Sequence, residues 1–127
     1  MTYRILVVDD SKLARMSAAK ALTALRPEWT RLEATNASEA LVLADEVPID
    51  IALLDFNMPG QDGLELAAEL RRRRPRMPVA VISANQQTEI VERAHKVGAI
   101  FLTKPITEQA LKGFIEEAVR MLEDGGQ

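Results

Sequence analysis

The sequence predicts an α/β fold, in which a five-stranded parallel sheet lies between two layers of helices. Two observations lead to this prediction: short apolar runs of strand length recur along the chain, and a segment with helical periodicity follows each of them. Continuous apolar runs are typical of strands that are covered on both faces. Strands and helices in strict alternation therefore indicate a three-layer sandwich joined by right-handed crossovers.

Each element is predicted from its own run of residues. The five strands are residues 5–8, 30–34, 51–54, 79–82 and 100–102. The helices have apolar positions every three or four residues. They are residues 11–25, 37–46, 64–70, 90–97 and 111–122. Ser11, Asn36 and Thr107 stand at the expected N-caps of the first, second and fifth helices.

Length and composition limit the classes of function. At 127 residues the chain fits one domain, predicted to be residues 1–123, with residues 124–127 as a flexible tail or the start of a linker. The absence of cysteine excludes disulfides and thiolate metal sites and favours the cytoplasm. A net charge of -3 argues against direct nucleic-acid binding, and no apolar run approaches the roughly 20 residues that a membrane helix needs. The arginines at residues 71–74 end a helix and are interpreted as a solvated face.

Polar side chains come directly after four of the predicted strands. Because the carboxyl ends of parallel strands meet at one edge of the sheet, where ligands of this architecture bind, we expect these residues to form one site. They are Asp9, Asp10, Asp55, Asn57, Ser83, Asn85 and Lys104. A single Asp after a strand is more often a helix cap or a turn residue, but caps do not explain polar residues in four loops at once.

The residue types of this predicted site indicate phosphoryl chemistry. Three carboxylates at one place repel each other, so we expect a cation between them. All the candidate ligand atoms are oxygens, since no cysteine or histidine belongs to the set, and oxygen ligands favour Mg²⁺. Lys104 offers a compact positive charge and Ser83 a hydroxyl donor for phosphoryl oxygens, with Asp55 as the attacking carboxylate.

Four segments resemble the CheY-like receiver domain of two-component response regulators. They are ILVVDDS (5–11), LLDFNMPGQDGLEL (53–66), VAVISA (79–84) and FLTKP (101–105). The resemblance implies a flavodoxin-like sheet with strand order 2-1-3-4-5. It also implies a cytoplasmic signalling protein that accepts a phosphoryl group from a sensor histidine kinase or a histidine phosphotransfer protein.

By this resemblance Asp55 is the phosphoacceptor and Mg²⁺ is the cofactor. The metal site would comprise Asp9, Asp10, Asp55 and Asn57. Asp10 would bind the ion directly, Asp9 mainly through water, and Asn57 through its backbone carbonyl. Asn57 and Asn85 would flank the path of the water that attacks the acyl phosphate, and would thus set its lifetime. The chain would catalyse only its own phosphorylation and slow dephosphorylation, so it is not expected to be an enzyme acting on other substrates.

The resemblance also implies a conformational switch. Lys104 would pair with Asp55 and then with the phosphoryl group, and the bond from Lys104 to Pro105 would be cis, which is uncommon. The phosphoryl oxygens would draw the Ser83 hydroxyl inward, and Phe101 would turn into the space left behind. This movement would remodel the face made by the fourth helix, the fifth strand and the fifth helix, to which an output protein or effector domain binds.

Three other functions are compatible with this architecture. The first is a Mg²⁺-dependent phosphohydrolase of the haloacid dehalogenase type, which needs an acid where Asn57 stands and is therefore disfavoured. The second is a flavin or nucleotide binder, but no glycine-rich phosphate loop follows the first strand. The third is a receiver-like interaction module that is never phosphorylated.

Overall fold

The computed structural model describes residues 2–125. Strands and helices alternate, as predicted. Their bounds are β1 (Arg4–Val8), α1 (Lys12–Leu25), β2 (Thr30–Ala34), α2 (Ala37–Glu46), β3 (Ile51–Asp55), α3 (Gly63–Arg73), β4 (Val79–Ser83), α4 (Thr88–Lys96), β5 (Ile100–Thr103) and α5 (Glu108–Gly125). Within residues 2–125, no helix is both long enough and apolar enough to cross a membrane.

All neighbouring strands pair in parallel, and the strand order is β2-β1-β3-β4-β5. The predicted flavodoxin-like fold and its order are therefore confirmed. In the register, Leu6 of β1 lies between Leu32 of β2 and Ala52 of β3. The order reverses between β1 and β3, and the crevice outside the carboxyl ends of these two strands is where such sheets bind ligands.

The sheet separates two hydrophobic cores because successive strand residues point to opposite faces. From β1, Leu6 and Val8 pack with α2, α3 and α4, whereas Ile5 and Val7 pack with α1 and α5. All four of these side chains are buried, at 4% exposure or less. Helices therefore cover both faces of the strands, which accounts for their continuous apolar runs.

Three strands run one residue further than the apolar pattern predicts. At their carboxyl ends, β3 includes Asp55, β4 includes Ser83 and β5 includes Thr103, because the ladder continues past the last apolar residue. The backbone N–H of Phe56 donates to the Ile82 carbonyl at 2.8 Å, and that of Lys104 donates to the Ser83 carbonyl at 3.1 Å. The polar side chains at these ends are thus carried by ordered strand backbone.

The predicted N-caps of α1, α2 and α5 are confirmed by hydrogen bonds. Ser11 Oγ accepts from the Ala14 N–H (3.2 Å), Asn36 Oδ1 from the Glu39 N–H (2.9 Å), and Thr107 Oγ1 from the Ala110 N–H (3.0 Å). At the other end of α5, Asp124 and Gly125 belong to the helix, although both fall in the predicted tail. Residues 126 and 127 of that tail lie outside the described residues.

Residues 71–74 are largely solvated, as interpreted, because Arg72, Arg73 and Arg74 are exposed and only Arg71 is half-buried. Arg71 donates to the Met77 carbonyl at 2.6 Å and Arg74 to the Ile49 carbonyl at 3.2 Å. Arg73 forms an ion pair with Asp45 at 2.5 Å. Although the run is largely exposed, Arg71 and Arg74 thus also donate to backbone carbonyls in the segments before β4 and β3.

The amino end of the sheet carries an aromatic pair. Trp29 is buried and meets Tyr3 edge to face, with ring centroids 5.4 Å apart. The guanidinium carbon of Arg26 lies 5.6 Å from the Trp29 ring centroid. The only tryptophan of the chain is therefore part of the core between the sheet and the α1–α5 layer.

Candidate functional site

The carboxyl ends of the strands bring the predicted residues to one edge of the sheet. Asp9 follows β1, and its backbone N–H donates to the Ala34 carbonyl at 3.1 Å. Asp55 is the last residue of β3 and Ser83 the last of β4, while Lys104 follows β5. Because the strand order reverses between β1 and β3, Asp9 and Asp55 lie on either side of the topological switch point.

Asp55 and Lys104 form an ion pair at the centre of the site. The Asp55 side chain is 4% exposed, and Lys104 Nζ lies 2.7 Å from its Oδ1. This oxygen is buried, yet no donor within residues 2–125 reaches it at a hydrogen-bonding angle. The ammonium is close enough to balance the charge, and a lone pair of Oδ1 stays available. The peptide bond between Lys104 and Pro105 is cis, as predicted.

Three carboxylates converge beside this ion pair. One oxygen each of Asp9, Asp10 and Asp55 lies within 4.8 Å of the others. Burial raises the pKa of Asp9, and the charges of Asp55 and Asp10 raise it further, while the hydrogen bond from the Ser11 N–H and the charge of Lys104 act in the opposite direction. The site therefore holds more negative charge than its own cation balances.

The donor set fits a hard divalent cation. The converging atoms are three carboxylate oxygens, and the buried Oδ1 of Asp55 has no hydrogen-bond donor among residues 2–125. Asp10 is exposed, so an ion at this edge would keep water ligands, as Mg²⁺ prefers. Asn57, the fourth predicted ligand, is exposed in the loop that follows β3.

The loop between β3 and α3 is held tightly against the site. A Cβ atom on Gly63 would lie 2.3 Å from the Asp55 carbonyl oxygen, so only glycine allows this approach. The Gly63 N–H donates to the Phe56 carbonyl at 2.9 Å. Asp62 and Glu65 form a capping box at the start of α3, which sequence reasoning missed although Asp and Glu stand at the required spacing. The start of α3 therefore fixes the backbone of Asp55.

The residues after β4 form a chain of local hydrogen bonds. Ser83 is buried, and its Oγ accepts from the Asn85 backbone N–H at 3.0 Å. Asn85 is exposed, and its Oδ1 accepts from the Gln87 backbone N–H at 3.0 Å. Because Ser83 Oγ acts as an acceptor in this contact, its hydroxyl proton remains available to another group.

Phe101 lies on the same side of the sheet as Ser83. In the register of β4 and β5, Phe101 pairs with Val81, and Thr103 pairs with Ser83. Residues two apart on a strand share a face, so Phe101 and Ser83 both face the layer that contains α4. Phe101 is half-buried against the core beneath that layer.

Sequence reasoning missed Arg15, which contacts the loop between β1 and α1. Its Nη1 donates to the Asp9 carbonyl at 2.7 Å, and its Nε donates to Glu33 Oε1 at 3.1 Å. The sequence carries no signal for the second contact, because Glu33 lies 18 residues from Arg15 and only the pairing of Val7 with Glu33 places that carboxylate near the end of β1.

A cavity of about 570 Å³ connects Asp55 with the surface. It runs between α1, which contributes the small residues Ala14 and Ser17, and the loop after β5, which contributes Lys104 and Pro105. The opening between α1 and this loop therefore gives access to the carboxylate of Asp55.

The sequence matches the family described as response regulator receiver domain over residues 5–116. The positive alginate biosynthesis regulatory protein of Pseudomonas aeruginosa is 40% identical over 119 residues, which cover 91% of this chain and 47% of that protein. Transcriptional regulatory protein PdtaR of Mycobacterium tuberculosis is 36% identical over 119 residues, covering 91% of this chain and 56% of that protein. The chain thus spans about half the length of these curated relatives.

Solved structures share the fold. A CheY-like response regulator receiver domain protein from Methanospirillum hungatei aligns with a TM-score of 0.88 at 23% identity, covering 98% of this chain and 99% of that chain. A two-component response regulator of the LuxR family from Aurantimonas aligns with a TM-score of 0.84 at 28% identity, covering 94% and 86%. The first of these likenesses supports the fold alone.

Proposed function

The chain belongs to the response regulator receiver domain family, and on that premise we propose that it is a phosphoryl-operated switch with Asp55 as its phosphoacceptor. Receiver domains are signalling phosphoacceptors rather than enzymes of metabolism. The observation that carries the proposal is the buried Asp55 carboxylate, 2.7 Å from the Lys104 ammonium and beside two further carboxylates. This arrangement concentrates negative charge around one nucleophilic oxygen and supplies one cation.

The proposed reaction transfers a phosphoryl group from a phosphohistidine of the donor protein to a carboxylate oxygen of Asp55. The nitrogen–phosphorus bond breaks, the oxygen–phosphorus bond forms, and the histidine nitrogen keeps the bonding electron pair. Lys104 then balances charge on the phosphoryl oxygens, and the free hydroxyl proton of Ser83 donates to one of them. When bound, Mg²⁺ supplies the remaining positive charge. The residues that would hold it are Asp9, Asp10, Asp55 and the backbone carbonyl of Asn57.

We place the phosphodonor, a sensor histidine kinase or a histidine phosphotransfer protein, on the α1 side of the site. The cavity that leads to Asp55 opens between α1 and the loop after β5. Beside it, α1 exposes two large apolar side chains, Leu13 at 73% and Met16 at 57%. A donor protein that covers these side chains would bring its histidine to the opening.

The proposed output surface is the face made by α4, β5 and α5. Ser83 has a proton to offer to a phosphoryl group, and Phe101 lies on the same side of the sheet. If Ser83 moves toward Asp55, Phe101 gains room to turn inward, and the position of α4 changes with it. An output protein or effector domain that distinguishes the two positions of α4 would read the phosphorylated state.

The side chains of Asn57 and Asn85 bear on the lifetime of that state. Both are exposed near the proposed phosphoryl site, and neither can take a proton from an attacking water as a carboxylate does. An amide at Asn57 therefore favours a switch that decays slowly over a phosphohydrolase that turns over an external substrate.

Asp55→Asn tests the proposed function. The wild type, incubated with Mg²⁺ and acetyl phosphate, should gain the mass of one phosphoryl group in intact-mass spectrometry, and Asp55→Asn should gain none, because an amide is not a nucleophile for phosphorus. Asp45→Asn is the matched control, since Asp45 is exposed on α2 and should leave the labelling unchanged. A wild type that gains no phosphoryl group and binds no beryllofluoride would be an unphosphorylated interaction module, and the proposal would be wrong.

A further inference from the structure

We propose that Arg15 is a positioning residue for the acidic pair Asp9 and Asp10, and that Glu33 acts on the same pair through Arg15. The inference rests on the proposed function in one respect, namely that these two aspartates bind Mg²⁺. It predicts that a guanidinium which does not touch the ion nevertheless strengthens its binding.

The contacts of Arg15 link three elements at the edge of the site. The side chain rises from the first turns of α1 and is 14% exposed. Its Nη1 donates to the backbone carbonyl of Asp9 at 2.7 Å, and its Nε donates to Glu33 Oε1 of β2 at 3.1 Å. The two donors of one planar group are therefore used in different directions, which fixes the guanidinium plane.

The position of the Asp9 carbonyl group determines the orientation of Asp10. It belongs to the planar peptide unit that joins these two residues. The rest of Asp9 is already held, because its N–H donates to Ala34 and its Oδ1 accepts from the Ser11 N–H. Within residues 2–125, no hydrogen bond or ion pair holds the carboxylate of Asp10, which is exposed. The direction of Asp10 thus depends on the rotation of this peptide plane, and Arg15 restricts that rotation.

If Arg15 acts by its charge or by positioning the ligands, its removal should change the affinity for Mg²⁺ in opposite directions. A cation near a metal site repels the metal ion, so on charge alone its removal would tighten Mg²⁺ binding. If Arg15 positions the ligands, its removal weakens binding, and groups that orient metal ligands typically contribute about 10-fold or more to affinity. The affinity of the Arg15→Gln variant therefore distinguishes the two roles.

The experiment is a Mg²⁺ titration of the purified chain, followed by the amide NMR signals of the loop between β1 and α1. We expect the dissociation constant to rise about 10-fold in Arg15→Gln. Arg15→Lys should also bind more weakly, because lysine keeps the charge but lacks the planar fork that reaches both acceptors. Arg31→Gln is the matched control, since Arg31 donates to Thr23 far from the site and should leave the constant unchanged.

Variants of Glu33 test whether Glu33 acts on the two aspartates through Arg15, while Arg15 itself is left unchanged. Glu33→Gln keeps an oxygen that can accept from Nε and should bind Mg²⁺ like the wild type, whereas Glu33→Ala should bind more weakly. On charge alone both would weaken binding equally. This pair also decides the question if Arg15→Gln does not fold.

Unchanged or tighter Mg²⁺ binding by a folded Arg15→Gln would overturn the inference, as would equal weakening by the two Glu33 variants. Either result leaves the phosphoacceptor proposal intact, because that proposal is tested separately by the mass gained at Asp55. A fall in melting temperature with an unchanged dissociation constant would mean that Arg15 is only a structural brace.

Discussion

Helices α3 and α4 follow neighbouring strands, and each begins a few residues after a residue of the site. α3 starts with the capping box of Asp62 and Glu65, and it buries five residues. The N-cap of α4 is Gln87, whose side chain makes no capping hydrogen bond, and the helix buries only Ile90 and Ala94. The loop before α3 lies in close contact with the Asp55 carbonyl, whereas residues 84–87 before α4 are exposed.

This difference indicates which of the two helices can move when the structure of the site changes. Moving α3 would disrupt a cap, several buried side chains and the backbone contact at Asp55, while moving α4 disrupts few contacts. One ion pair, between Arg93 and Asp62 at 3.2 Å, links the two helices. α3 therefore holds Asp55 in place, and α4 is the element whose position the proposed phosphoryl group would shift at low cost in free energy.

The largest expected effect comes from breaking the anchor of α3 with Gly63→Ala. The added Cβ would lie 2.3 Å from a backbone oxygen, so the loop or the strand must move. We expect the free energy of unfolding to fall by about 3 kcal/mol, the upper end of the usual cost of overpacking. Urea denaturation followed by circular dichroism measures the change.

Gly113→Ala is the control for this substitution. Gly113 lies within α5, and a Cβ there would have no neighbour within 4 Å. Alanine in a helix interior should stabilise the protein by about 0.5–1 kcal/mol. A Gly63→Ala protein as stable as the wild type would show that α3 is not fixed by this contact.

The second-largest expected effect comes from replacing the N-cap residues of α3 and α4. Asp62→Ala removes an N-cap and should cost about 1 kcal/mol of unfolding free energy, whereas Gln87→Ala removes no capping bond and should change stability by less than about 0.5 kcal/mol. Asp62→Asn separates the contribution of the N-cap from that of the charge, because asparagine can still cap the helix but cannot form the ion pair with Arg93. Equal costs for the two alanine variants would contradict the difference in anchoring.

The smallest expected effect concerns α2, a third helix start in the same layer. Hydrogen bonds from the Thr35 hydroxyl and backbone N–H to the Glu39 carboxylate lower the pKa of Glu39 below its usual value of 4.5. A lowered pKa in the folded state stabilises the protein above the unfolded pKa, and this contribution is lost as the pH falls through the folded pKa. The stability of the wild type should therefore exceed that of Glu39→Gln near neutral pH, and the gap should close in acid. Urea midpoints over a pH series measure it, and a gap independent of pH would contradict the assignment.

Much of the fold could be predicted because its signals are local. The interiors of β1, β3 and β4 are continuous apolar runs, and helical periodicity separates them. The ends of β3 and β4 were predicted one residue short, because hydropathy stops at the last apolar residue while the hydrogen-bond ladder includes Asp55 and Ser83.

The site could also be predicted, because the carboxyl ends of parallel strands lie at one edge of the sheet. The residues brought together there are Asp9, Asp55, Ser83 and Lys104. The contacts of Arg15 and Arg93 could not be predicted. Their partners lie 18 and 31 residues away, and only the packing of helices against the sheet brings them together. The chemical roles of Asp55 and Asn57 stay predictions, since reactivity depends on a donor and a cation as well as on position.

The aromatic pair at the amino end of the sheet gives this chain a built-in spectroscopic probe. Trp29 is its only tryptophan, and the five residues of β1, a span of roughly 20 Å, separate its neighbour Tyr3 from Asp9. Its emission should therefore report global unfolding while remaining insensitive to Mg²⁺ or phosphoryl groups at the opposite end. Fluorescence from Trp29 can thus compare the stabilities of loaded and unloaded protein without optical interference from the ligand itself.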